Sequence, residues 1–256
     1  MRAPHCELPV IAADILERLR ARRPRVHCVT NAVAQAFSAN MLLAAGAVPS
    51  MTIAPAEVRH FVARADALLV NLGTFDAERR RAALAAIAAA NKAAMPWVLD
   101  PVFIDRSAPR AAFARTLLGK MPRAVRLNRA ELAALSRNSA DERSLPHLAG
   151  SWHTVIGLTG ERDFVCDGRR FAAVANGHPL MARVTAMGCA GSALVAAALA
   201  VERDAWCATA AALTILGVAG EVAAERARGP GSFAVEILDA VHGLERAVLL
   251  ARARVN

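Results

Sequence analysis

The sequence predicts an α/β fold, a mostly parallel central sheet covered by helices on both faces, in a single domain over residues 1–256. Three observations carry this. Short apolar runs alternate with stretches of helical period along the whole chain. The runs are mostly apolar, the pattern of strands buried on both faces. Each run ends in polar or glycine residues, as the carboxyl ends of parallel strands do where ligands bind.

Residues 8–21 place Val10, Ile11, Ile15, Leu16 and Leu19 on one helix face, and Pro24 closes the helix. Residues 26–29 form a buried strand running into Thr30-Asn31. A helix over about 32–45 carries Val33, Phe37 and Met41 at i, i+4 and i+8 and stops at Gly46. Pro49-Ser50-Met51 is a short strand. Residues 67–72 are a continuous apolar strand ending in Gly73-Thr74, and Asp76 is placed to cap the alanine-rich helix that follows. Residues 97–99 form a strand closed by Asp100-Pro101, and residues 124–127 one that meets a helix start at Asn128-Arg129-Ala130-Glu131. A strand over 153–158 runs into Thr159-Gly160-Glu161, and residues 164–171 read as a hairpin about Asp167-Gly168. The turn Ala186-Met187-Gly188 then opens a long buried helix to about Ala200. Two more helices, broken at Gly229-Pro230-Gly231, complete the chain.

Composition narrows the function classes. Hydrophobic residues make up 55% and charged residues 21%, with a mean hydropathy of +0.32, which excludes a disordered chain. Lys and Arg number 31 against 22 Asp and Glu, a net charge of +9, and every cation but Lys92 and Lys120 is arginine. Gly119-Lys120-Met121 lacks the hydroxyl and the leading glycine of a Walker A loop, so P-loop, protein-kinase-like and pyridoxal-phosphate chemistries are not expected. The arginines are scattered at helical spacing with no interleaved aromatics, a pattern of solvated faces rather than of a nucleic-acid surface. The cysteines Cys6, Cys28, Cys166, Cys189 and Cys207 form no Cys-x-x-Cys pair and are odd in number, which fits a reducing, cytoplasmic setting. Glu7, Pro9, Asp14 and Glu17 interrupt any signal-peptide core. The uncharged stretches 26–56 and 184–201 read as buried elements rather than membrane spans, so no membrane partner is expected.

The carboxyl edge of the predicted sheet gathers Asn31, Met51, Gly73-Thr74, Asp100, Asn128 with Glu131, Thr159-Gly160 and Gly188-Cys189. Taken alone, Asn128-x-x-Glu131 is a capping box and Asp100 before Pro101 a turn residue. Two carboxylates on neighbouring strand ends also suit a hydrated Mg²⁺ that bridges phosphates. Gly188-Cys189, at the start of an apolar helix, offers free backbone N–H groups and a positive helix end to an anion, a field that also lowers a thiol's pKa. The plain alternative is a small buried cysteine of no consequence.

Several blocks resemble the hydroxyethylthiazole kinase family. They are Val26-His27-Cys28-Val29-Thr30-Asn31 with Phe37, Ala39-Asn40, Leu42-Leu43-Ala44, Gly46-Ala47 and Met51, then residues 67–74 and Trp97-Val98-Leu99-Asp100-Pro101-Val102. Val125-Arg126-x-Asn128-x-x-Glu131, Thr159-Gly160-Glu161-x-Asp163, Pro179-Leu180-Met181 and Gly229-Pro230-Gly231-Ser232-Phe233 follow in family order, so the resemblance spans about residues 26–240. It implies a ribokinase-like fold and an ATP- and Mg²⁺-dependent kinase that phosphorylates 4-methyl-5-(2-hydroxyethyl)thiazole in thiamine salvage. The family is a homotrimer with sites between subunits. By motif, Asn31, Met51, Gly73 and Ala186 would bind the thiazole. Arg126, Thr159, Asn128 and Gly188 would hold the nucleotide, and Asp100 and Glu131 would hold Mg²⁺. Cys189 stands where related sugar kinases carry an aspartate base, so it would be the catalytic residue and the most reactive thiol.

The chain departs from the family pattern near the phosphates. Ala186-Met187-Gly188-Cys189 replaces Gly-Thr-Gly-Cys, Leu127 stands for a glycine, Ala32 for an aspartate, and the segment 137–152 is short and expected to lack a helix. These changes imply weaker binding of the transferring phosphate and a slow enzyme. They leave two other readings: a kinase of a related small alcohol, and a thiazole-binding regulatory protein without phosphoryl transfer.

Overall fold

A computed structural model describes residues 7–137 and 141–256. Eight strands form one sheet in the order β2-β1-β3-β4-β5-β6-β7-β8. The strands are β1 (Arg25–Val29), β2 (Val48–Ser50), β3 (Ala67–Asn71), β4 (Trp97–Asp100), β5 (Ala124–Asn128), β6 (Val155–Thr159), β7 (Asp163–Cys166) and β8 (Phe171–Val174). The six from β1 to β6 run parallel, and β7 and β8 append an antiparallel hairpin.

Successive residues of the central strands go to opposite faces, and both faces are buried. In β3, Ala67 and Leu69 join one core while Leu68 and Val70 join the other. The first face is covered by α1 (Leu8–Arg22), α2 (Gln35–Ala44), α8 (Met187–Val201), α9 (Ala205–Arg226) and α10 (Pro230–His242). The second takes α3 (Val58–Val62), α4 (Ala77–Lys92), α5 (Ala108–Leu118), α6 (Arg129–Ser136) and α7 (Leu145–Trp152). The last helix, α11 (Arg246–Arg252), leads to a tail in which Asn256 exchanges backbone hydrogen bonds with Ala173 and so covers the free edge of β8.

Two expectations are corrected. The segment 137–152 does not lack a helix: a 3₁₀ turn at Glu142–Ser144, capped by Asp141, leads into α7, where Pro146 occupies the first turn. Residues 138–140 of that segment, like Cys6, lie outside the described residues. The chain also ends in three helices after α8, not two, because Gly243 ends α10 and Glu245 precedes α11. The apolar helix α9 is long enough to cross a membrane by length and composition, yet 78% of its apolar window is buried inside the fold.

Part of the arginine excess is structural. Arg18 donates to the Val201 carbonyl and pairs with Glu202, both at 2.7 Å, and so closes the carboxyl end of α8. Arg20 does the same at the end of α10, donating to the carbonyls of Val241 (3.0 Å) and His242 (2.8 Å). Gly46, at φ +93°, lets the turn after α2 lie against Arg20: a Cβ there would sit 2.9 Å from the Arg20 Cα. Gly46→Ala meets both a disfavoured backbone conformation and a backbone clash. It should cost at least about 1–2 kcal/mol. Thermal unfolding should register this as a fall of roughly 2–8 °C in Tm.

Candidate active site

The carboxyl ends of β1, β3, β4 and β5 meet the first turn of α8, and the polar residues there form one connected cluster. Asn31, just past β1, turns its Oδ1 to the Ala34 N–H (3.0 Å). Its Nδ2 therefore points inward, donating to Asn71 Oδ1 (2.9 Å) and Cys189 Sγ (3.4 Å). Gly73 leaves room for this amide, since a Cβ at 73 would lie 2.6–2.7 Å from the Asn31 side chain. Asn71, the last residue of β3, also accepts the Gly73 N–H (3.0 Å) and donates to Asp100 Oδ2 (2.7 Å).

Asp100 and Glu131 are buried, at 2% and 6% exposure. Burial pushes both carboxyls above the usual range, and the charge of Asp100 raises Glu131 further, while Arg126 works against each shift. Glu131 closes the expected capping box with Asn128 and with its other oxygen accepts the Phe103 N–H (2.9 Å). Capping and a place in the acidic cluster are thus compatible. Asn128 spends its side-chain oxygen on the cap; its register partner Thr159 ends β6 and donates to the Leu127 carbonyl (3.3 Å).

Arg126 is the cation of the cluster. It crosses from β5 to α8, where a Cβ on Gly188 would lie 2.9 Å from Nη1 and one on Gly191 would lie 3.5 Å from Nε. That Nε is buried without a hydrogen-bond partner. Arg126 also faces Asp163, whose carboxyl accepts the Gly160 N–H (3.0 Å) and is pushed up to about 6 by burial.

Electrostatics do not favour a thiolate at Cys189. Burial, with the Asp100 charge beside it, pushes the thiol up to about 11, and the Asn71 and Asn31 amides offset only part of this. Cys207 is also raised to about 11 and Cys28 to about 12, so the structure singles out no activated thiol among these three. Ala186 precedes α8 in the left-handed conformation, at φ 65°, with no side-chain cap, and Met187 turns into the core at 6% exposure.

Met51 lies one strand further out, after edge strand β2. Its segment is tied to the sheet by His27, whose Nδ1 meets Ser50 Oγ (2.8 Å) and whose Nε2 meets the Thr52 carbonyl (3.1 Å). A carbonyl only accepts, so Nε2 carries the proton. Burial holds this imidazole down to about 4, so it is neutral at physiological pH. The sequence reading missed Asn71, Asp163 and His27 as candidates. The one available signal was Asn71, an amide ending an otherwise apolar run.

A groove of about 590 Å³ opens at the opposite, amino edge of the sheet, lined among others by Asp66, Trp97, Arg123 and Glu202. Its two carboxylates are already paired, with Arg25 and Arg18, and it contains none of the cluster residues.

Known proteins share this architecture. A ribokinase-like superfamily protein from Enterococcus faecalis V583 superposes with a TM-score of 0.68 over 91% of this chain and 95% of its own, at 14% identity, which establishes the fold alone. The fold is ribokinase-like. The model of the hydroxyethylthiazole kinase family matches residues 16–247. The hydroxyethylthiazole kinase structure from Pyrococcus horikoshii OT3 is 37% identical with a TM-score of 0.93, covering 96% of this chain and 98% of that one. A probable hydroxyethylthiazole kinase from Agrobacterium fabrum is 44% identical over 246 residues, 96% of this chain and 94% of the relative. The chain belongs to the hydroxyethylthiazole kinase family, a family of phosphotransferases of thiamine biosynthesis.

With a pKa of about 11, only about one Cys189 in a thousand is thiolate at pH 8. Iodoacetamide labelling mapped by mass spectrometry should therefore leave Cys189 unmodified at pH 7 under conditions that consume free cysteine. The rate should climb about tenfold per pH unit up to pH 10. Rapid labelling at pH 7 would show that the helix field outweighs burial.

Proposed function

We propose that the protein transfers the terminal phosphoryl group of ATP to the hydroxyl of 4-methyl-5-(2-hydroxyethyl)thiazole, the salvage step that returns this alcohol to thiamine synthesis in the cytoplasm. One observation carries the reading: in a member of this family, Asn31, Asp100, Arg126, Glu131 and Cys189 share one buried electrostatic cluster at the start of α8.

The donor set fits Mg²⁺. Among the described residues no third His, Cys, Asp or Glu completes a metal cage around the two carboxylates, which suits a cation that keeps most of its waters. Burial raises the proton affinity of both acids and the Asp100 charge raises that of Glu131 further, and a nearby dication would offset both. When bound with nucleotide, Mg²⁺ would neutralise phosphate charge; Asp100 and Glu131 would hold it.

On the nucleotide side, Arg126, Thr159, Asn128 and Gly188 are assigned to ATP. Arg126 has a buried, unbonded Nε and is drawn toward the start of α8, where helix N–H groups favour anions. On the alcohol side, Asn31, Met51, Gly73 and Ala186 are assigned to the thiazole. Cys189 remains the catalytic candidate that faces the hydroxyl. As a neutral thiol it orients the alcohol more than it removes its proton, and phosphoryl transfer asks chiefly for positioning and charge neutralisation.

We assign the functional unit to a homotrimer. Val48 and Phe61 are 38% and 41% exposed and line a groove of about 190 Å³ beside edge strand β2, with Leu43 at 56% on the neighbouring α2. Such an apolar edge calls for cover, and it lies next to Met51.

A coupled assay with the thiazole alcohol and Mg-ATP tests the activity. Asp100→Ala and Glu131→Gln should each lower kcat at least about 100-fold, in the range seen when one electrostatic stabiliser is removed. Their Tm should shift by only a few degrees. Full activity in both variants would remove these carboxylates from the mechanism. Light scattering should give three times the 27.0 kDa of the chain. A Phe61→Glu variant should dissociate and lose thiazole affinity; a wild-type monomer at micromolar concentration would rule out shared sites.

A further inference from the structure

Asn71 hydrogen-bonds to both halves of the proposed site. It sits at the end of β3, between the strand that leads to Asn31 and the strand that ends in Asp100, and is 2% exposed. Asn71 and Asp100 are register partners across β3 and β4. Its Oδ1 accepts from Asn31 Nδ2 and from the Gly73 N–H, and its Nδ2 donates to Asp100 Oδ2.

The direction of every bond is fixed. Gly73 can only donate, which puts the Asn71 oxygen on the Asn31 side, and a carboxylate accepts, which puts the nitrogen on the Asp100 side. The Ala34 N–H likewise fixes the oxygen of Asn31, so its nitrogen must serve both Asn71 and Cys189. No flipped amide satisfies these partners. The result is a connected chain of four side chains: Asn31 Nδ2 donates both to Cys189 and to Asn71, and Asn71 Nδ2 donates on to Asp100, with both amides buried.

We propose that Asn71 is a positioning residue that couples the alcohol-binding side, Asn31 and Cys189, to the cation-binding side, Asp100. This rests on the proposed kinase function. Asn71 need not contact substrate: it fixes the angle of the Asp100 carboxylate and the inward turn of the Asn31 amide through a single planar group. A side chain that merely satisfied buried backbone would not link binding at the two ends.

Two substitutions separate the halves. Asn71→Asp keeps an acceptor for Asn31 and Gly73 but sets a carboxylate against Asp100, at the position of the present 2.7 Å bond. Asn71→Ala removes both links. Three measurements apply to each: calorimetric affinity for the thiazole alcohol without nucleotide, the thermal shift given by Mg-ADP, and kcat. For Asn71→Asp, thiazole affinity should stay within threefold of wild type. The Mg-ADP shift should change by more than half and kcat should fall at least 100-fold. For Asn71→Ala, thiazole affinity should fall about tenfold, as for a lost contact of about 1.4 kcal/mol, and kcat should fall as well.

In the ligand-free protein, Asn71→Ala should also change the alkylation rate of Cys189 at pH 9 at least threefold and leave Cys207 unchanged. This readout stands apart from the proposed activity. If wild type neither binds nor phosphorylates the thiazole alcohol, the functional reading fails, and Cys189 labelling still judges the relay. Unchanged Cys189 labelling, or an Asn71→Asp variant that loses thiazole affinity while keeping the Mg-ADP shift, overturns the relay. Should Asn71→Ala not fold, Asn71→Asp decides by the same measures.

Discussion

The site depends on Arg126 being able to reach the start of α8. Three carboxylates, Asp100, Glu131 and Asp163, feel this one guanidinium, and each is pushed toward protonation by burial and held back by it. The approach exists because α8 presents Gly188 and Gly191 on the side that faces β5. A methyl group at 188 would lie 2.9 Å from the guanidinium, and one at 191 would also strike Leu216 of α9 at 2.9 Å. Small residues on α8 thus set the distance between helix and sheet, and that distance brings a cation, two buried acids and a helix start together. Three burdened carboxylates around one arginine make an arrangement suited to receiving further positive charge with an anionic ligand.

Local structure and chemistry coincide at Asn128–Glu131. The capping box anchors the first turn of α6, and the same Glu131 carboxylate reaches across to the Phe103 N–H after β4. Phe103 is held at φ 57°, left-handed and 49% exposed, a costly conformation for an aromatic residue. The bond to Glu131 helps to fix it. One side chain therefore caps a helix, ties two strand-end loops together and carries the charge assigned to the cation. The sequence offers capping and ligation as alternatives, and the geometry satisfies the first without excluding the second.

The legible parts of the fold were those written in consecutive residues. Strands β3 and β4 are apolar runs closed by a polar residue, β1 and β5 are mostly apolar with His27 and Arg126 inside them, and Asp76 and Asn128 announce their helices by position, so these elements fell within a residue or two of expectation. Helices α3 and α7 were not legible because they have only five and eight residues, too short for a periodic stripe to stand out. The candidate site residues were named through the resemblance, and several of them meet in one cluster, but their electrostatics were not legible. The Cys189 thiol follows burial and the nearness of Asp100, and both arise from contacts across the sheet. Asn71 and His27 were hidden for a related reason: each lies in an apolar run, and only the neighbouring strands reveal what its polar atoms meet.

The turn before α8 is where the sequence alone suggests weakened phosphate binding. Ala186 nevertheless takes the left-handed conformation expected of a glycine, at φ 65°, and α8 starts at Met187 with Gly188 and Cys189 in its first turn. The methyl group costs about 1–2 kcal/mol of backbone energy. It does not redirect the chain. Met187 turns its side chain into the core, so its bulk adds packing there and does not crowd the cluster. The cost of the turn thus falls on backbone energy, while the start of α8 stays against the Arg126 guanidinium. The strain at Ala186 is therefore local, and the first turn of α8, with Gly188 against the Arg126 guanidinium, remains part of the buried cluster.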